Sequence, residues 1–127
     1  MRQKHLDLDV EIAFLEGLVR RDPAFVEAFQ TLGAAYTQRG RKADGLRVDQ
    51  QLAQLQPADP VVHYNLACSY ALTGRFVEAA RALTLALDLG FRDFRWLASD
   101  PDLRPLREHP AYARIRARIR HLRTPRA

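Results

Sequence analysis

Apolar positions recur along this chain at spacings of three and four, the period of helices with one buried face. Within residues 26–39, Phe29, Leu32 and Tyr36 fall on one side, with Gly33 beside them. Gly40 follows as a helix stop, since glycine commonly sits just past a C-terminus. A second helix carries Leu46, Leu52 and Leu55 and ends before Pro57. Asp59-Pro60 predicts the next start, with Asp as N-cap and Pro at the first helical position. Tyr64, Leu66, Ala67 and Tyr70 then populate a helix closed by Gly74. Its partner carries Phe76, Ala79, Ala80, Leu83, Ala86 and Leu87, closed by Gly90. Upstream, residues 8–23 read as a lone helix ending at Pro23. No alternating run is bounded by a hairpin dipeptide, so the pattern predicts an all-α chain.

The pattern repeats. A shift of 34 residues lays Leu32 on Leu66, Tyr36 on Tyr70, Gly40 on Gly74 and Arg41 on Arg75. It also carries Pro23 onto Pro57, Leu18 onto Leu52, Phe14 onto Val48 and Phe29 onto His63. A fixed offset of this length marks a repeat built from one supersecondary unit. Small residues at Gly33, Ala67 and Ala79 predict close helix approach, about 8–10 Å between axes.

Period and markers together resemble the tetratricopeptide repeat, whose pattern is W-x2-L-G-x2-Y, then A-x3-F, then P. The first unit matches at Phe29, Leu32, Gly33, Tyr36 and Pro57, and departs at Gly45 and Asp49, which implies a looser contact there. The second matches at Leu66, Ala67, Tyr70, Ala79 and Leu83, with His63 for the family's aromatic and Phe91 for its proline. The resemblance spans residues 8–93 and implies antiparallel hairpins stacked as a short right-handed solenoid of about seven helices. It divides a single domain, 1–127, into a half repeat (1–25), two repeats (26–59 and 60–93) and a capping segment (94–127).

That last segment leaves the repeat pattern. Asp100-Pro101 is another N-cap signal, and Pro105 allows only a short helical turn. His109-Pro110 opens a final helix whose apolar stripe is Tyr112, Ile115, Ile119 and Leu122. G-F-R-D-F, D-P-D-L-x-P-L-R and H-P-A-Y together resemble the closing segment of bacterial tetratricopeptide proteins. Arrays need such an end because each unit leaves an apolar face for its neighbour.

Composition narrows the function classes. The chain has 127 residues, 47% hydrophobic and 28% charged, ordinary globular usage. No apolar run approaches the ~20 residues of a membrane span, and the start Met1-Arg2-Gln3-Lys4 lacks the apolar core of a leader. One cysteine cannot form an internal disulfide. A cytoplasmic, reducing setting is expected. The net charge is +5, but residues 1–90 sum to −1 and residues 91–127 to +6. The excess sits in the last third, where Arg114, Arg116, Arg118, Arg120 and Arg123 flank the final stripe. They read first as the solvated side of a cap, favouring the helix C-terminus. Contacts to an anionic partner such as nucleic acid are the alternative, without the interleaved aromatics that stack bases.

Catalytic and metal signatures are sparse. No H-E-x-x-H, P-loop or G-x-G-x-x-G occurs, so no metal or cofactor is expected. His63 falls at an aromatic packing position, Asp100 reads as a cap and Asp102 as first-turn charge. Cys68 has no sequence-local base. An enzyme is not expected. The resemblance instead implies a concave groove lined by first helices: Glu27, Gln30, Ala34 and Thr37, then Val61, Tyr64, Asn65, Cys68 and Ala71. A partner protein or peptide would lie there, anchored by Tyr64. Gln30 and Ala34 stand where the family's clamp for a terminal carboxylate needs Lys and Asn, so such tails are not the expected ligand. Exposed apolar residues of the half repeat, Phe14, Leu15 and Leu18, could also pair two copies.

Overall fold

The computed structural model describes residues 2–124. Met1, the first residue of the start that lacks an apolar leader core, and the last three residues of the capping segment lie outside the described residues. Eight α-helices and two short 3-10 turns follow one another, with no strand among the described residues. They form two compact units, residues 1–56 and 57–127.

The first unit holds α1 (Arg2–Arg21), α2 (Val26–Arg39) and α3 (Lys42–Leu55). Its core holds Leu8, Ile12 and Leu15 from α1, Phe29, Leu32 and Tyr36 from α2, and Leu46, Val48 and Leu52 from α3. The α2 face and Leu46 and Leu52 are as predicted, whereas Leu15 was expected at the surface and Leu55 is only half-buried. α1 starts well before residue 8, because Leu8 is the first of its buried positions, not its first turn. Gly33 permits the close packing of α2 on α3. A Cβ there would meet Val48 Cγ1 at 3.2 Å. Polar ties join α1 to α2: the Tyr36 hydroxyl donates to Glu16 at 2.5 Å, and Arg39 pairs with Asp9 at 2.9 Å.

The second unit holds α4 (Pro60–Leu72) and α5 (Phe76–Asp88), which pack more extensively than α2 on α3. Ala67, Ala79, Leu83, Ala86 and Leu87 are fully enclosed. Asp59 caps α4 as predicted, accepting from the Val61 amide at 2.9 Å. His63 is buried, its ring nitrogen 2.8 Å from the Pro57 carbonyl.

The hairpin turns repeat in atomic detail. Gly40 (φ 81°) and Gly74 (φ 78°) take the left-handed conformation that favours glycine. At each, the following arginine amide reaches back to the tyrosine carbonyl five residues earlier: Arg41 to Tyr36 and Arg75 to Tyr70, both 2.9 Å. Each guanidinium lies over that tyrosine's ring, at 4.8 and 5.0 Å from the centroid. Each then pairs with a carboxylate three residues on, Arg41 with Asp44 and Arg75 with Glu78.

The capping segment contains α6 (Phe94–Ser99), a 3-10 turn at Pro101–Leu103, α7 (Arg104–Arg107), a second 3-10 turn at Pro110–Tyr112, and α8 (Ala113–Arg123). The count exceeds the expected seven because Asp100-Pro101 separates α6 from the short turn allowed by Pro105. Leu97, Leu103, Leu106 and Ile115 are fully buried. Arg107 joins the pieces, donating to the carbonyls of Leu97 (3.0 Å) and Asp100 (2.8 Å).

Candidate protein-binding surfaces

In the first unit, α2 divides cleanly. Ala28, Phe29, Leu32, Ala35 and Tyr36 enter the core, while Glu27, Gln30, Ala34 and Thr37 stay exposed in one line. The Thr37 hydroxyl donates to the Gly33 carbonyl at 3.0 Å, which leaves its oxygen able to accept. The four α2 residues expected on a binding face are thus brought together on a helix whose other side is fixed by packing.

α4 differs from expectation. Val61 and Asn65 are exposed, but Tyr64, Cys68 and Ala71 are buried. Tyr64, expected as the free anchor for a partner, is 5% exposed. Its ring stacks on Phe91, with centroids 4.2 Å apart and planes 7° from parallel. Its hydroxyl donates to Asp100 Oδ2 at 2.5 Å. The physical reason is the closing segment: Phe91, standing where the repeat has proline, and the first 3-10 turn both fold against α4. Tyr64 is therefore an internal fastener.

Asp100 is the centre of that fastener and is 4% exposed. Its Oδ1 accepts from the Asp102 amide at 2.9 Å, the predicted cap, while Oδ2 takes the Tyr64 hydroxyl and, at 3.7 Å, the Cys68 thiol. Burial and then the bond to Asp100 hold the Tyr64 phenol well above its usual range. Burial and then the Asp100 charge raise the Cys68 thiol likewise, so it stays protonated and weakly nucleophilic at neutral pH. Cys68, Asp100 and Asp102 place one potential ligand atom each within 4.8 Å of one another. Both Asp100 oxygens in that cluster accept hydrogen bonds from the chain itself. Nothing in local spacing could have revealed it, because Tyr64 and Asp100 stand 36 residues apart.

The C-terminal arginines have separate fates. Arg116 lies 4.9 Å from the Tyr112 centroid and donates to the Arg107 carbonyl. Arg118 pairs with Asp88 of α5 at 2.7 Å. Arg123 lies over Phe94. Arg114 and Arg120 are exposed. The expected solvated flank is thus largely a set of ties to the chain's own rings, carbonyls and carboxylates.

On α1, the exposed apolar residues are Leu6 (53%), Val10 (71%) and Phe14 (62%), one turn apart. Leu15, expected among them, is buried at 6%, and Leu18 is half-buried. At helical spacing the exposed three lie across the helix from the buried Leu8, Ile12 and Leu15. No described helix is long and apolar enough to cross a membrane.

No family model matches the chain. It is 34% identical over 82 residues to the PEX5-related protein of Homo sapiens, a stretch covering 65% of this chain and 13% of that protein. The PEX5-related protein of Mus musculus is 33% identical over 82 residues, with 65% and 14% covered. A chloroplastic protein of Arabidopsis thaliana is 30% identical over 79 residues, with 60% and 24% covered. The chain spans less than a quarter of the length of each of these relatives. What the chain shares with them is a partial similarity of sequence, and what its own residues build is an all-α array of helical hairpins.

Proposed function

We propose that the chain is a non-catalytic protein-interaction module whose partner segment lies along the open face of α2. The observation that carries this reading is the line Glu27, Gln30, Ala34 and Thr37, exposed on a helix whose opposite side is wholly engaged in the core. Ala34 leaves room for a partner backbone, flanked by side chains that donate and accept hydrogen bonds. Val61 and Asn65 give α4 a smaller open face of the same kind. The tetratricopeptide-like markers and the partial similarity to PEX5-related proteins support a binding role over a catalytic one. A cytoplasmic setting and a bacterial type of closing segment belong to the same reading.

Affinity capture with wild type and with Ala34→Arg/Thr37→Arg tests it, followed by titration of the captured partner in purified form. Both positions are exposed, so the variant keeps its fold. The expected outcome is loss of direct binding by at least about tenfold, or 1.4 kcal/mol. Equal binding by the two proteins would reject the α2 face.

A second reading is favoured by the stripe on α1. Leu6, Val10 and Phe14 form an apolar line one helical turn apart, suited to self-complementary pairing of two copies. Sedimentation across a concentration series should show dimers in wild type and monomers in Val10→Glu. A monomer at every concentration would reject pairing.

A further inference from the structure

A groove of about 760 Å³ runs along the second unit between α5 and the start of α8. Val77, Ala80 and Ala111 line it with apolar surface, and Arg81, Arg114 and Arg118 line it with charge. Val77 is 55% exposed and so offers apolar surface to a partner. The Thr84 hydroxyl in the wall is satisfied by the Ala80 carbonyl at 2.8 Å and adds little polarity. Arg118 is tethered to Asp88 at the edge. Arg81 and Arg114 are exposed, and Arg81 stands near Glu78 of the same helix, whose carboxyl is held low first by the Arg75 hydrogen bond and, to a smaller extent, by the Arg81 charge.

We propose that this groove docks an acidic segment of a partner protein carrying an apolar side chain beside its carboxylates. The surface is independent of the α2 face, sharing no residue with it. A lining that mixes apolar side chains with guanidinium groups matches such a segment in two ways. The aliphatic or aromatic side chain covers Val77 and Ala80. The carboxylates meet Arg81 and Arg114, whose planar forks suit bidentate pairing. Asp88 pairs with Arg118 and holds it at the groove.

Nucleic acid fits this groove less well. No aromatic ring lines it to stack a base. Arg116 and Arg123 are drawn onto the chain's own Tyr112 and Phe94. Two exposed guanidinium groups and one paired one offer few phosphate contacts, and phosphate contacts carry most such affinity. A membrane surface fits no better, because Tyr112 and Ile115 of the final stripe are buried.

The test is selection of a random displayed peptide library on the full chain, followed by NMR titration of the enriched peptides. The expected peptides are acidic with at least one Leu, Ile or Phe, and they shift the Val77, Ala80 and Ala111 resonances. Arg81→Glu/Arg114→Glu, both on exposed positions, should weaken them at least about tenfold with an unchanged helical spectrum. Ala34→Arg/Thr37→Arg should bind them as wild type does, which separates this surface from the α2 reading. Three results would each overturn the proposal: enriched peptides without acidic residues, shifts confined to other residues, or affinity indifferent to the double charge reversal. A single-stranded oligothymidylate that shifts the same resonances more tightly than any acidic peptide would also overturn it, in favour of nucleic acid.

Discussion

The phenol of Tyr64 and the carboxylate of Asp100 form a buried pair in which each satisfies the other. Removing the hydroxyl leaves Oδ2 with the distant Cys68 thiol as its donor among the described residues. Tyr64→Phe should therefore destabilise the chain by about 1–3 kcal/mol, the cost of an unsatisfied buried polar group, read by urea denaturation. Cys68→Ala should cost less, since its contact at 3.7 Å is a weak sulfur bond. Tyr36 offers a pH signature. Burial, then its bond to Glu16, pushes its phenol up to about 12 from 10.0. A group raised on folding favours its protonated native form. Its contribution is full below about pH 10 and is lost as pH rises toward about 12. Stability of wild type should fall across that interval more steeply than that of Tyr36→Phe, and parallel curves would refute the assignment. These roles were only partly legible beforehand. Tyr36 and Tyr70 stood out by repetition, and Asp100 by its place before proline. The Tyr64–Asp100 pair depends on a fold-back between distant segments, which helical periodicity does not encode.

Among the elements, the α2–α3 contact rests on a missing side chain. A Cβ at Gly33 would press Val48 Cγ1 at 3.2 Å, so Gly33→Ala sets helix propensity against steric crowding. Its cost should shrink when Val48→Ala makes room, and a double-mutant cycle measures that coupling, expected at roughly 0.5–3 kcal/mol for residues in contact. Additive effects would show that the helices separate freely there. Helix boundaries were readable where local chemistry marks them, as at Asp59-Pro60 and Gly74. The exposed stripe of α1 was harder to place. Phe14 was expected to share its surface with Leu15 and Leu18. Leu15, the adjacent position, points about 100° away and is buried, while Leu18, one turn on, is half-buried, so Leu6 and Val10 carry the exposed stripe with Phe14. Residues 94–127 were expected to act as a cap, but their packing against Tyr64 was not foreseen, because it depends on tertiary fold-back.

For the whole molecule, the division into residues 1–56 and 57–127 carries an expectation of its own. The second unit encloses Leu83, Leu87, Leu97, Leu103, Leu106 and Ile115 and has its own polar lock. Expressed alone, residues 57–127 should unfold cooperatively in a thermal melt. Residues 1–56 should be marginal, near the size at which a single core barely suffices. A non-cooperative second unit would show that its core depends on the first.

The Tyr64–Asp100 lock also has a consequence for synthesis. A chain leaves the ribosome from its N-terminus, at about 5–20 residues per second, and folds as it emerges. Tyr64 is translated 36 residues ahead of the carboxylate that receives its hydroxyl. Until then the α4–α5 hairpin carries an unclosed face, and a nascent chain arrested before Asp100 would present that face to chaperones or proteases. The lock therefore closes late: α4 hides this face only after the segment that carries Asp100 has emerged and folded back on it.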